Sequence, residues 1–370
     1  MHPSLDVEGR YDSMVGVDFG DQEGPVGDFV LRIRPGFSLE IPSPTLNFSL
    51  DAAADWNRYS DLTERGTQVL SYVGGDAHLG FHVNPASRVS MKLGDRFTHS
   101  DRTSAVALGV GVLSIFNDLY VKAPMQPGGG ALTLEPAYSF VLESFLTTSP
   151  SVVFSEDAGQ LNYFSHRPSL DVSWRFLPKT ALVLEVSGDI RRYPDSAFNV
   201  PVNALQAMAG VSGLVTPRVS VLLRGGYGNS FIAASHEDEG LPNFEGFIGQ
   251  LDATFTMSET ARLKAGLVRT FFPVPGLGWY NDNRFYTGGA LLMGGRFLVE
   301  FDGAVHMLDY ATGRRDFLVQ PSLSTGLRLT RWLSLAAGYR HSLRWSEDGG
   351  EDPATNFHRN EVFGSLRMSY

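Results

Sequence analysis

The sequence predicts an all-β protein: a single closed antiparallel transmembrane β-barrel of about eighteen strands, with residues 1–370 as one domain. Three observations carry that prediction. Apolar and polar residues alternate with a period of two along runs longer than an ordinary soluble strand. Short turns alternate with longer polar loops. The alternation then continues to the last residue.

The first run is the clearest. Phe29, Leu31, Ile33, Pro35, Phe37, Leu39 and Ile41 fall on one face, and Val30, Arg32, Arg34, Gly36, Ser38 and Glu40 on the other. Successive side chains of a strand point to opposite sides, so one face is greasy and the other charged. The run exceeds the usual five or six residues and suits a tilted membrane strand of about 9–11 or more. The same pattern starts at Leu132, Leu182, Val219, Phe297 and Phe317. No stretch approaches the roughly 20 apolar residues of a membrane helix.

Turn residues mark where the strands reverse. Tight turns are expected at Pro42-Ser43-Pro44, Asn84-Pro85-Ala86, Gly128-Gly129-Gly130, Pro178-Lys179, Thr216-Pro217-Arg218, Ser258-Glu259-Thr260, Gly294-Gly295 and Thr330-Arg331. Between them lie loops at 19–28, 60–67, 102–115, 149–160, 194–203, 234–244, 275–281, 311–316 and 346–357. This asymmetry predicts short periplasmic turns and longer extracellular loops in a bacterial outer membrane. Trp56, Tyr59, Trp279 and Trp345 near loops, and Trp174, Phe176 and Trp332 near turns, are expected to form the interfacial girdles. Segment 102–115, whose Ala105 to Leu113 is too apolar for a simple exposed loop, is the best candidate to fold into the lumen; the other readings are that it lies along the rim, extends a strand or meets a partner.

Composition narrows the function. The net charge of -10 speaks against a nucleic-acid partner, and the absence of cysteine removes thiolate chemistry and Cys-based metal sites. His78 and His82 are four apart, but on a strand that is roughly 13 Å, too far to share an ion. Gly109-x-Gly111 lacks a strand–helix context for dinucleotides. With no nucleophile–base motif, the expectation is a protein that is not an enzyme and has no cofactor or metal. The start, Met1-His2-Pro3-Ser4-Leu5-Asp6, is not a signal peptide. The chain is therefore expected to be either a mature protein with an added initiator Met, its signal removed, or a truncated reading of the gene.

A barrel of this width encloses an aqueous lumen unless plugged. The expected pore-lining residues are Arg32, Arg34, Glu40, Asp51, Asp55, Lys92, Arg96, Glu185, Asp189, Arg191, Arg224, Lys264, Glu300, Asp302, Arg328, Arg340 and Arg367. Their mixed signs suggest pairing across strands or a path for a hydrated polymer. The readings open here are an export conduit, a general or substrate-selective diffusion porin, and a structural or adhesive barrel.

Two resemblances refine this. Leu366, Met368 and the terminal Tyr370 resemble the signal read by the barrel-assembly machinery, which usually ends on Phe. Prolines recur mid-strand in Arg34-Pro35-Gly36, Arg167-Pro168-Ser169 and Gln320-Pro321-Ser322, where a bulge or bend is expected because proline cannot donate to the ladder. With the opening Tyr11-Asp12-Ser13, the strand Asp28 to Gly36 and the pair Arg58-Tyr59, the chain resembles the outer-membrane β-barrel porin 2 family. That resemblance implies an eighteen-stranded conduit for exopolysaccharide of flippase/polymerase-type pathways. Its implied partners are a periplasmic polysaccharide export protein and the polymer itself, beside the outer-membrane lipids.

Overall fold

The computed structural model describes residues 1–19, 22–64, 66–100, 112–147, 158–194, 199, 201–232, 242–274, 278–347 and 356–370. They form eighteen strands. The first six are β1 (His2–Phe19), β2 (Gln22–Ile41), β3 (Leu46–Tyr59), β4 (Tyr72–Val83), β5 (Met91–Ser100) and β6 (Val112–Lys122). Then come β7 (Leu132–Thr147), β8 (Tyr163–Leu177), β9 (Thr180–Arg192), β10 (Val202–Thr216), β11 (Val219–Ile232) and β12 (Glu245–Ser258). The last six are β13 (Ala261–Val274), β14 (Gly278–Met293), β15 (Phe297–Tyr310), β16 (Arg315–Arg328), β17 (Leu333–Ser346) and β18 (Phe357–Ser369).

Every strand pairs antiparallel with its neighbours in sequence, and β1 pairs with β18 from Ser4↔Ser369 to Asp12↔Glu361. The sheet is thus closed. Both chain ends meet at one rim, where Tyr370 N donates to Pro3 O at 3.1 Å. All eight expected turns join strands. The loop bounds need correction: 22–28 belongs to β2, 112–115 to β6, 202–203 to β10 and 278–281 to β14. The remainder of the inward-loop candidate 102–115, up to 111, lies outside the described residues.

The mid-strand prolines make no bulge. Pairing of β2 with β3 stops at Ile33↔Trp56 and resumes at Gly36↔Ala53 in unchanged register. The same two-residue gap falls at 167–168 between β8 and β9, and at 320–321 between β16 and β17. On the opposite side the ladder is continuous through Leu5↔Pro35, Tyr138↔Pro168 and Gly303↔Pro321. The missing N–H therefore interrupts only one neighbour, and the register survives.

The apolar faces point outward and remain exposed along the wall, as lipid requires. Trp56, Trp174, Phe176, Trp332 and Trp345 are all exposed large residues. Two expected girdle residues are not on that face. Tyr59 is buried with Val15, Val26, Val30 and Leu70, and Asp28 ties down the residues that follow Tyr59 by accepting hydrogen bonds from Ser60 Oγ, Thr67 Oγ1 and the Asp61 and Leu62 amides. Trp279 packs against Phe244 instead.

Candidate functional site in the barrel lumen

Strand alternation puts all seventeen expected pore-lining residues on the face opposite the exposed apolar side chains. Most are paired. Arg32 Nε meets Asp55 Oδ1 at 2.6 Å, and Arg34 bridges Asp55 Oδ2 at 2.9 Å and Asp76. Lys264 Nζ lies 2.8 Å from Asp302. Arg224 pairs with Glu185, and Arg367 Nη2 with Asp6 at 2.9 Å. Arg340 Nη1 reaches Glu361 at 3.2 Å. Lys92 stands 3.7 Å from Glu135, and Arg96 3.9 Å from Asp118. Glu40, Asp51, Glu300 and Arg328 form no ion pair among the described residues. His78 and His82 have separate partners, Tyr120 Oη and Ser90 Oγ.

One sector departs from a simple wall. Pairing of β12 with β13 ends at Gly249↔Arg269, whereas β13 and β14 stay paired to Val274↔Gly278. From Thr270 onward this hairpin leaves the sheet and bends into the barrel. Phe271 is fully buried against Ala204, Met208, Phe244 and Ile248, and its ring stacks on Phe244 at 4.3 Å. Those neighbours lie on β10 and β12 or just before β12. Gly228 of β11 provides the space, since a Cβ there would stand 2.5 Å from the Phe271 ring, closer than real contacts allow.

Polar contacts hold the inward end of β13 against β9 and β10. Gln206 of β10 donates to Phe271 O at 3.1 Å, and Arg191 of β9 donates to Pro273 O at 3.0 Å. Arg191 also stacks over Tyr163 at 4.0 Å and pairs with Asp189 at 3.2 Å. Tyr163 Oη in turn donates to Glu143. On the other side Asp282 meets His306 Nδ1 at 3.0 Å. Proline and phenylalanine carbonyls left free by the broken ladder thus find donors on β9 and β10, as buried backbone groups must.

Beside the hairpin lies a cavity of about 680 Å³. Arg96, Lys122, Arg167, Arg191 and Arg284 face it, as do Asp118, Glu143, Asp189 and Asp282. The near balance of signs means that no ring of one charge governs the space. Such a site can sort solutes by size and by the fit of their polar groups, and it offers no nucleophile–base pair for covalent chemistry. Glu143 and His306 fall on the polar faces of their alternating runs but are not among the expected pore-lining residues, and neither are Arg167, Asp282 and Arg284. Asp282, Arg284 and Tyr286 do alternate in sequence, but the run begins directly after the stretch 275–281 that reads as a loop.

A closed eighteen-stranded antiparallel barrel with an apolar exterior and a charged interior is a transmembrane barrel of the bacterial outer membrane. No protein-family model matches the sequence, and no curated protein matches it. Among solved structures the chain is similar to OpdK of Pseudomonas aeruginosa, crystallised with vanillate, with 11% identity, a TM-score of 0.54, and 100% of this chain and 98% of that one covered. It is also similar to OccK2 (OpdF) of Pseudomonas aeruginosa in complex with glucuronate, at 12% identity and a TM-score of 0.52, covering 99% and 97%. A third is OccAB3 of Acinetobacter baumannii, at 11% identity and a TM-score of 0.52, covering 100% and 98%. At such identities the likeness speaks for the fold alone. It does not extend to exopolysaccharide export.

Proposed function

We propose that the chain is a selective diffusion channel for small hydrophilic solutes, with the seventeen inward charges lining its path. The inward β13–β14 hairpin carries this reading. A conduit for a polymer needs a continuous wide passage, and here the end of β13 turns into the barrel and is held over the inner face of β10 to β12 by Arg191 and Gln206, which takes up part of that width. The solved neighbours named with vanillate and glucuronate support small organic solutes over polymers. The diffusion alternative therefore takes the place of the export reading implied by resemblance to β-barrel porin 2.

Planar-bilayer recording of the purified protein tests this. A steady ohmic conductance that added polysaccharide leaves unchanged is the expected result. A channel that is closed alone, or that polymer blocks, would restore the export reading. Leu366, Met368 and the exposed Tyr370 remain our proposed signal for the barrel-assembly machinery. Deleting Tyr370 should lower the amount of folded barrel in the outer membrane without altering the conductance of those that assemble.

A further inference from the structure

The inward bend leaves a scar on the lipid side. Where β12 and β13 part at Gly249↔Arg269, the carbonyl of Phe247 loses its ladder partner, and Arg269 Nε donates to it at 3.0 Å. Arg269 Nη1 donates to Asn283 Oδ1 at 2.6 Å. The side chain shares the outward face with Leu263 and Leu267, both exposed to lipid. Among the described residues it forms no ion pair. Capping a carbonyl needs only a neutral donor, whereas a guanidinium on a barrel's lipid face is costly except near the interface.

A groove of about 330 Å³ adjoins this arginine, walled by Leu223, Phe247, Leu251, Leu267 and Phe285. β13 rises from the Ser258–Ala261 turn, so Arg269 lies toward the extracellular end. We propose that this seam binds one phosphorylated, acylated lipid of the outer leaflet. Its phosphate accepts from Arg269 Nη2, the guanidinium nitrogen that Phe247 and Asn283 leave open, and an acyl chain fills the groove. An anionic headgroup supplies the direct countercharge that Asp309, which reaches Arg269 only through Asn283, does not, and a hydrocarbon chain covers apolar wall that the splayed strands leave concave. The site is separate from the lumen and independent of what the channel passes.

Native mass spectrometry of the folded, detergent-solubilised barrel provides the test. The probes are phosphorylated lipid A, chain-matched dephosphorylated lipid A and inorganic phosphate. The expected result is one phosphorylated lipid retained per barrel, with retention weakened about tenfold or more in R269Q, the loss expected for a hydrogen bond to a charged group. L251W, which keeps the arginine and fills the groove, should weaken it similarly. Gln can still cap Phe247 O, and heat-modifiable gel mobility confirms that both variants are folded. Equal retention of the dephosphorylated lipid, displacement by inorganic phosphate, or unchanged binding in both variants would overturn the proposal.

Discussion

The two sides of the barrel solve the same problem differently. Across β2, β3 and β4 the wall is regular, and its inward charges form the ladder Arg32–Asp55–Arg34–Asp76 with side chains still partly open to the lumen. Across β9 to β14 the sheet splits, a hairpin enters, and the charges that meet it are buried. Arg191 has a side-chain exposure of 6%, against 28% for Arg34. The regular wall shapes an electrostatic surface. The split sector shapes the passage itself. The difference teaches that similar ion pairs carry unlike weights according to how much water reaches them.

The strongest way to break this contrast is to remove the space the hairpin occupies. Gly228→Val should expel Phe271 and raise single-channel conductance severalfold while leaving the barrel folded, as read in planar bilayers. Next in size is Arg191→Gln, which leaves Asp189 without one of its two arginines and Pro273 O without its donor. Breaking a buried pair costs about 3–5 kcal/mol, so a lower midpoint in urea unfolding and noisier current are expected. Arg34→Ala sharpens the comparison from the other side. Partly exposed pairs are worth about 0–1 kcal/mol, so stability should barely move, and reversal potentials should shift slightly toward cation passage. Smallest of all is Arg328→Gln, which removes no ion pair and should change stability by less than about 0.5 kcal/mol.

Much of this architecture was legible before the structure. Period-two runs and Gly/Pro turns located the strands because each membrane strand must alternate along its whole length. The inward side of Arg32, Glu185 and Asp302 followed from the same rule. The hairpin was not found, although a signal existed. Residues 271–279, Phe-Phe-Pro-Val-Pro-Gly-Leu-Gly-Trp, are as apolar as the 105–113 stretch that drew attention, and far more so than the acidic loops. An apolar loop at the watery mouth has to find cover. Tyr59 and Trp279 failed as girdle residues for a related reason. An aromatic at a strand end can face either lipid or the barrel interior, and only the register decides.

The closing seam has a mechanical corollary. β1 and β18 run antiparallel side by side with their ends at the same rim, from Ser4↔Ser369 inward. A force drawing those ends apart loads the rungs one at a time, as in opening a zipper, and never shears the whole row together. A tip pulling on either terminus should therefore extract the chain in modest steps, each the length of a hairpin, with the split sector yielding in a step of its own.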